Sequence, residues 1–455
     1  MTDFAHIAAD ALPTAEDWAR VLTLRDYNTR LVVFGTFALG LAAGLVGSFT
    51  LLRKRALMGD ALSHATLPGI AIAFIVATAM GGAAKSLVVL LIGAVVTGVL
   101  GVATILALRQ YTRLKEDAAL GVVLSVYFGA GVAMLGIVQQ LGSGSAAGLE
   151  SFIYGKTASM VPGDVWLIGG VGVAAAVVCG LLFKEFKLLC FDADYARAQG
   201  WPTLTLDVVM MGLVVAVTVV GLQAVGLVLV IAMLIIPAAA ARFWTDRTGT
   251  MAMLSALIGG TSAAIGAAAS ALVPRLPSGA TIVLVEAALF GTSMLFGTAR
   301  GVLPRWRRRR QLERDVGRQH FLRAAFELAE QRGGGGDMKL RDLLDRRSWS
   351  VRQLRKLAHI AEAAGRVVFD GDSLRLTDSG AAEARRVARN HRLWELYLIN
   401  HADTAPAHVD RGADRIEHVV DPDIVAELER QLDASPEAVV PESPHLLMQG
   451  GLNRA

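Results

Sequence analysis

Long apolar runs and short basic clusters alternate from the start of the chain to about Arg300, and there the pattern stops. Stretches of about 20 apolar residues, enough to cross a hydrocarbon core of ~30 Å, fall near 29 to 52, 57 to 80, 86 to 108, 117 to 139, 163 to 183, 204 to 221, 223 to 241, 250 to 272 and 279 to 298. About eight or nine membrane helices are therefore expected. The pair between Leu204 and Ala241 is cramped and reads equally as two short helices broken around Gly221 and Gly226, while Pro237 is expected to break or kink its own span. Small residues recur at Gly40, Gly44 and Gly47 and at Gly169, Gly170 and Gly172, which predicts close helix packing in lipid.

Beyond the arginine run the periodicity changes. Leu312 to Gln331 is helical, Gly333 to Gly336 is a break, and Arg341 to Ala364 reads as two helices around Ser348, Trp349 and Ser350. A hairpin follows over Arg366 to Leu376, then a helix over Thr377 to Asn400 with Thr377 or Asp378 as its cap. Helix, turn, helix and hairpin is a winged-helix pattern. The expected fold is an all-α polytopic membrane protein with a C-terminal cytoplasmic winged-helix-like α(+β) domain. Its expected boundaries are a lead-in over 1–28, a membrane domain over 29–300, a basic linker over 301–311, the cytoplasmic domain over 312–435 and a tail over 436–455.

Composition sharpens this division without changing it. The 455 residues are 54% hydrophobic and 18% charged, and the mean hydropathy is +0.49. A net charge of +4 would suit nucleic acid, but the excess sits in clusters flanking the spans and in Arg305, Arg307, Arg308, Arg309 and Arg310. Such clusters report topology: loops holding Arg53 to Arg55, Arg109 to Lys115, Lys184 to Arg197 and Arg242 to Arg247 are expected in the cytoplasm. The N-terminus is then outside and the C-terminal domain inside, although Arg20, Arg25 and Arg30 run mildly counter to this. Residues 1–28 lack the basic start, apolar core and cleavage site of a secretory signal. Cys179 and Cys190 form neither a disulfide framework nor a CxxC clip.

Chemistry enters at Asp60 and His64. They lie four residues apart on one helix face, in a span where ionisable side chains are costly and face a polar path or a partner. With the helix starting near Leu57, His64 sits ~10 Å into the membrane. Carboxylate oxygen and neutral imidazole nitrogen suit Mn²⁺, Fe²⁺ or Zn²⁺, and two ligands make an incomplete site that suits transit. A structural hydrogen bond between the two is the competing reading. Gly155, Lys156 and Thr157 resemble the end of a phosphate loop, but Glu150 stands where its first glycine belongs, so any ATPase is another chain. The segment Phe183 to Gly200 reads either as a plain solvated loop or, over Asp192 to Gly200, as a short helix presenting a face with Phe191 and Tyr195 to a soluble partner. Glu286 is a second polar residue in a span, read as a hydrogen bond to a neighbouring helix. In the tail, His391 and Glu395 at i and i+4, with Asp410, Asp414, Glu417 and His418 beyond them, read either as surface charge or, if the two segments meet, as an oxygen and nitrogen ligand set.

The segments LLRKRALMGDALSHATLPGIAIAF, EDAALGVVLS, ESFIYGK, FDADYARAQG, VGLVLVIAMLIIPAAAAR and LPSGATIVL together resemble the permeases of ATP-binding-cassette importers for manganese, zinc and iron. The resemblance implies that Asp60 and His64 are the channel's metal site. It further implies that a separate ATPase docks at Phe191, Asp192, Tyr195, Ala196 and Gly200. LTDSGAAEARRVARNHRLWELYL and ADRIEHVVDPDIVAELERQL resemble metal-dependent repressors of the iron and manganese sensing family, and place His391, Glu395, Asp414, Glu417 and His418 on sensor-ligand positions. Asp410 falls where some members have histidine.

The expected function is thus a transport subunit, not an enzyme, in a bacterial cytoplasmic membrane. Its cargo is a divalent metal, Mn²⁺ favoured over Fe²⁺ or Zn²⁺, with no permanent cofactor and with room for a regulatory metal in the tail. Expected partners are an ATP-binding-cassette ATPase, an extracytoplasmic metal-binding protein and a second permease chain; nucleic acid is not expected. The alternative is a membrane-tethered metal sensor that binds DNA through Ser350 to Ala363, with Arg352, Arg355 and Lys356 on its recognition helix.

Overall fold

In lipid, an apolar run has no water to satisfy its amides, so it closes them on itself as helix. The computed structural model describes residues 14–55, 57–80, 87–140, 157–273, 276–333, 337–346, 349–370 and 373–401. The chain divides into two units, Met1–Arg305 and Trp306–Ala455.

The first unit opens with α1 (Ala15–Leu22), an amphipathic helix whose Thr14 and Asp17 cap one another through Asp17 N to Thr14 Oγ1 and Thr14 N to Asp17 Oδ2, at 3.3 and 3.0 Å. Then come α2 (Tyr27–Leu52), α3 (Met58–Ala65), α4 (Leu67–Ala79), α5 (Leu87–Tyr111), α6 (Glu116–Gln140) and α7 (Pro162–Leu181). Short α8 (Phe183–Phe191) and α9 (Ala193–Ala198) lead to α10 (Thr203–Val225), α11 (Leu227–Arg242), α12 (Thr248–Leu272) and α13 (Ser278–Phe296). Among the described residues 8 helices are long and apolar enough to span a membrane, counting α3 with α4 as one, and α11 is a shorter ninth.

Burial sorts these helices. The apolar windows of α2, α3 with α4, and α10 are 61, 67 and 72% buried, whereas those of α6, α7 and α13 are 17% buried and form the periphery of the bundle. Close approach at the centre depends on missing side chains. A Cβ on Gly40, Gly44 or Gly47 of α2 would come within 2.2, 2.3 and 1.9 Å of the carbonyl oxygens of Gly259, Ser255 and Leu234. The Ser255 hydroxyl donates to Gly44 O at 2.5 Å, an interhelical bond that requires this approach. Gly69 of α4 and Gly93 of α5 are matched in the same way. The second predicted cluster differs: nothing lies within 4 Å of a Cβ at Gly169 or Gly170, and only Gly172 meets α2. They sit on a rim helix, where small residues leave the lipid face smooth.

Two spans depart from simple crossings. The run over 57–80 is two helices, parted at Thr66, with Pro68 in the first turn of the second. The Thr66 hydroxyl donates to Ser63 O at 2.6 Å, and Thr97 Oγ1 of α5 reaches Thr66 O at 3.3 Å, so the irregular backbone is satisfied inside the protein. The second break falls at Gly226, with φ +86° and ψ 167°, a conformation open to glycine; Gly221 stays within α10. Pro237 does not end its helix: α11 continues through it to Arg242.

The second unit contains most of α14 (Val302–Gln331), then β1 (Met338–Lys339), a 3₁₀ turn over Leu340–Arg346, α15 (Val351–Ala363), β2 (Val367–Asp370), β3 (Ser373–Leu376) and α16 (Asp378–His401). The strands form an antiparallel sheet in the order β1-β3-β2, with Val367 opposite Leu376 and Asp370 opposite Ser373. Phe321, Leu322 and Ala325 of α14, Leu354 and Ala358 of α15 and Leu374 of β3 make its core. Three expectations are corrected. The basic stretch 301–311 is helical over the first turns of α14, because arginine is a strong helix former. The first of the two helices expected over Arg341 to Ala364 is a 3₁₀ turn. The two-residue β1 adds a strand to the hairpin. Thr377 acts as the expected cap, accepting from Gly380 N at 3.0 Å.

Candidate metal site

α3 has two unlike stripes, although it lies among apolar helices. Met58, Ala61, Leu62 and Ala65 are buried to 1% exposure or less and face the core. Leu57, Asp60 and His64, at i, i+3 and i+7, share the opposite stripe. The Asp60 and His64 side chains remain 31% and 17% exposed, and His64 Nε2 lies 3.4 Å from Asp60 Oδ1. Phe128 of α6 holds the imidazole edge to face, with ring centroids 4.7 Å apart. His64 Nδ1 is buried without a hydrogen-bond partner among the described residues. The two ring nitrogens are thus in different situations: one against a carboxylate, one unpartnered.

The same helix is irregular where the ligands sit. Pro68 stands four residues after His64 and has no amide hydrogen to donate to the His64 carbonyl, and the span parts into two helices at Thr66. No group of three or more His, Cys, Asp or Glu side chains capable of holding a metal occurs among the described residues. Asp60 and His64 are therefore an oxygen and a nitrogen donor placed side by side, of types that suit a first-row divalent cation.

A buried ionic node was not anticipated from sequence. Asp207, the fifth residue of α10, is 5% exposed. Arg55 NH1 and NH2 donate to its Oδ1 and Oδ2 at 2.9 and 3.2 Å, Arg53 approaches Oδ1 at 3.4 Å, and Arg109 NH1 lies 3.9 Å from Oδ2. The node fastens the end of α2, the end of α5 and the start of α10 together, five residues before Asp60 in the chain. The signal was available, since an acid inside an apolar run is as anomalous at Asp207 as at Asp60. The same arginines also fit the positive-inside pattern, which by itself gives no partner. Cys190 lies nearby, its Sγ 3.6 Å from Phe49 O, and burial pushes its thiol up to about 12. It stays protonated and is a poor metal ligand. Elsewhere, Glu286 is fully buried with Ser262 Oγ 3.5 Å from Oε1, as the reading of a bond to a neighbouring helix required.

The segment over 183–200, expected as a loop with one short helix, is two helices. Phe186 and Leu189 of α8 are buried, and Phe186 packs on Phe49 with centroids 5.5 Å apart. α9 is capped by Asp192, whose Oδ1 accepts from Tyr195 N at 2.8 Å, and it ends before Gly200 at φ +82°. Phe191 and Tyr195 are 61% and 54% exposed while Ala196 is buried, so this elbow presents two aromatic rings to the outside.

In the second unit, His391 and Glu395 of α16 come together, Nε2 to Oε1 at 3.2 Å, both nearly inaccessible. Asp410, Asp414, Glu417 and His418 lie outside the described residues, as do residues 150 to 156, which hold the ESFIYGK match.

Comparison with known proteins agrees with this layout. Residues 25–297 match the ABC 3 transport family, and residues 377–437 match the iron dependent repressor, metal binding and dimerisation domain. The manganese transport system membrane protein MntC of Bacillus subtilis is 35% identical over 390 residues, covering 86% of this chain and 88% of its own. The zinc transport system membrane protein TroC of Treponema pallidum is 43% identical over 286 residues, covering 63% of this chain and 94% of its own. Among solved structures, PsaBC from Streptococcus pneumoniae in complex with Fab superposes with a TM-score of 0.54 at 29% identity, covering 63% of this chain and 97% of that one. With the broken second span, the glycine-packed centre and both matched segments in place, the chain belongs to the ABC 3 transport family as a multi-pass membrane permease carrying a C-terminal iron-dependent-repressor domain.

Proposed function

We propose that the protein is the translocation subunit of an ATP-driven importer of divalent transition metal ions, with Mn²⁺ as its principal cargo. The observation that carries this reading is the Asp60 and His64 pair on the accessible stripe of α3, a carboxylate and an imidazole side by side within a membrane span. A neutral imidazole and a carboxylate exchange first-row divalent ions readily, and an alkali ion has no use for imidazole. An incomplete shell calls for ligands from water or from a second permease chain, so the working unit is a dimer that takes its ion from an extracytoplasmic binding protein. ATP hydrolysis belongs to a partner ATPase, for which the exposed Phe191 and Tyr195 at the α8 and α9 elbow offer a docking point. The N-terminus then lies outside and the second unit inside the cell.

Preference for Mn²⁺ rests on the extent of similarity. The relative named for manganese matches across both units, whereas the one named for zinc matches over 63% of this chain. In the second unit, His391 and Glu395 have the donor types of a regulatory metal site, and with Asp410, Asp414, Glu417 and His418 they would restrain transport when cytosolic metal is plentiful.

The decisive experiment is metal uptake by cells carrying the complete transporter with Asp60→Ala or His64→Ala. Each variant should lose uptake at least about tenfold, as expected for removal of a metal ligand, while the complex still assembles with its ATPase. Normal uptake by both variants overturns the assignment. Metal-stimulated ATP hydrolysis by the reconstituted complex across Mn²⁺, Fe²⁺ and Zn²⁺ tests the cargo separately.

A further inference from the structure

The arginines at the start of α14 do more than mark topology. Trp306, Arg310 and Arg314 recur at i, i+4 and i+8, hence on one face of the helix. The Arg310 guanidinium stacks over the Trp306 ring at 3.6 Å. Arg310 and Arg314 line one wall of a groove of about 480 Å³, with Trp306 stacked on Arg310 beside it; the other wall is α15 with Lys356, Leu357 and Ile360, and Trp349 lies in the approach to α15. Three cations converge there with one carboxylate, Glu313, which is already paired with Arg309 at 2.9 Å. Arg314 and Lys356 make no ion pair among the described residues. The groove is thus cationic, with an indole and two aliphatic side chains beside the charges.

Charge complementarity calls for an anion, and the apolar walls call for one attached to something apolar. Chain continuity selects the source. Only residues 297 to 301 separate the last span from α14. Within the first unit, Ala299 N and Arg300 N donate to Phe243 O at 3.0 Å and Arg300 pairs with Asp246 at 2.7 Å. Basic residues immediately following a span, with a tryptophan among them, meet the lipid headgroups first.

We propose that the groove between α14 and α15 binds the headgroup phosphate of an anionic phospholipid, with Arg310, Arg314 and Lys356 around the phosphate and Trp306 and Trp349 beside the glycerol and upper acyl carbons. The second unit is thereby coupled to the surface charge of the leaflet. Each basic residue beside an anionic leaflet strengthens association about fivefold, so the three together are a substantial anchor at physiological salt.

The test uses the full chain in lipid nanodiscs made from phosphatidylcholine alone or with about one third phosphatidylglycerol, read by hydrogen exchange over 305–314 and 349–360. The proposal expects exchange several-fold slower in the anionic discs than in phosphatidylcholine. It also expects this protection to fade between 0.1 and 1 M salt, as the screening length falls from about 10 to about 3 Å. Arg310→Glu with Lys356→Glu should abolish the difference while helix content by circular dichroism stays unchanged. If that variant misfolds, the lipid and salt dependence of the wild type decides alone. Equal exchange in both lipids overturns the proposal. So does equal protection in phosphatidylcholine on adding millimolar inorganic phosphate, which would make the site one for a free anion. Displacement of the lipid effect by random duplex DNA at physiological salt would assign the groove to nucleic acid instead.

Discussion

Replacing Asp207 by Asn removes the one negative charge from a node that holds three guanidinium groups. Arg55 decides the size of the effect, because its side chain is 2% exposed and receives almost no compensating hydration. Arg53 and Arg109, at 18% and 30%, keep partial access to water and contribute less. Removing one partner of a buried pair costs about 3–5 kcal/mol, mostly the penalty of the charge left behind. The amide would still accept one hydrogen bond from Arg55, so the lower end of that range applies. The loss should appear as a drop of several degrees in the apparent melting temperature of the purified full chain, followed by size-exclusion chromatography of heated samples. The double variant Asp207→Leu with Arg55→Met removes both buried charges, and it should recover most of the loss because an apolar pair of similar volume needs no hydration. An Asp207→Asn protein that melts with the wild type would show the node to be hydrated, and a double variant less stable than the single one would refute the charge argument.

Other variants test the packing and the tail. Gly47→Ala places a methyl 1.9 Å from Leu234 O, forcing α2 from α11 at a cost of about 1–3 kcal/mol, measurable in the same thermal assay. Gly226→Ala puts a side chain at φ +86° and ψ 167°, also costing about 1–3 kcal/mol; a neutral result would mean that the joint relaxes. In the second unit, a hydrogen bond from Arg332 at 2.6 Å and one from Lys339 N hold the Asp342 carboxyl below its ordinary value. A lowered carboxylate pKa stabilises the folded state above about pH 4, and that contribution disappears as pH falls through the lowered value. Asp342→Asn should therefore narrow the stability difference from wild type below pH 4 and widen it above, in acid titrations followed by circular dichroism.

Membrane helices were legible because one physical demand, satisfying every amide in lipid, leaves a signal some twenty residues long. Interruptions of that signal were not. The break at Thr66 spans a single residue, and averaging over a span's length erases it even though Pro68 stands in plain view. Gly226 was found because the crowded run around it could not hold two full crossings. Asp60 and His64 were legible as a pair because helix geometry fixes what four residues of spacing means. Asp207 has no such local partner: Arg53, Arg55 and Arg109 come to it from other helices, so the node exists only once the bundle is assembled. In the tail, α15 and the hairpin follow their caps and alternation, while β1 is two residues long and owes its existence to pairing with β3. The basic stretch 301–311, expected as a linker, is the start of α14, where Arg309 and Glu313 form a helical i, i+4 pair.

The divided second span has a mechanical consequence. Gly69 on the far side of Thr66 is locked against Gly93 of α5 by contacts that leave no space for even a methyl group, so α4 is a fixed rod. α3, eight residues long, carries Asp60 and His64 and is joined to that rod at one threonine. Asp60 and His64, 3.4 Å apart, therefore lie together on one side of that joint and the glycine seam lies on the other. Under the proposed function, the two donors thus belong to a short helix whose backbone is divided from the glycine-packed remainder of its span.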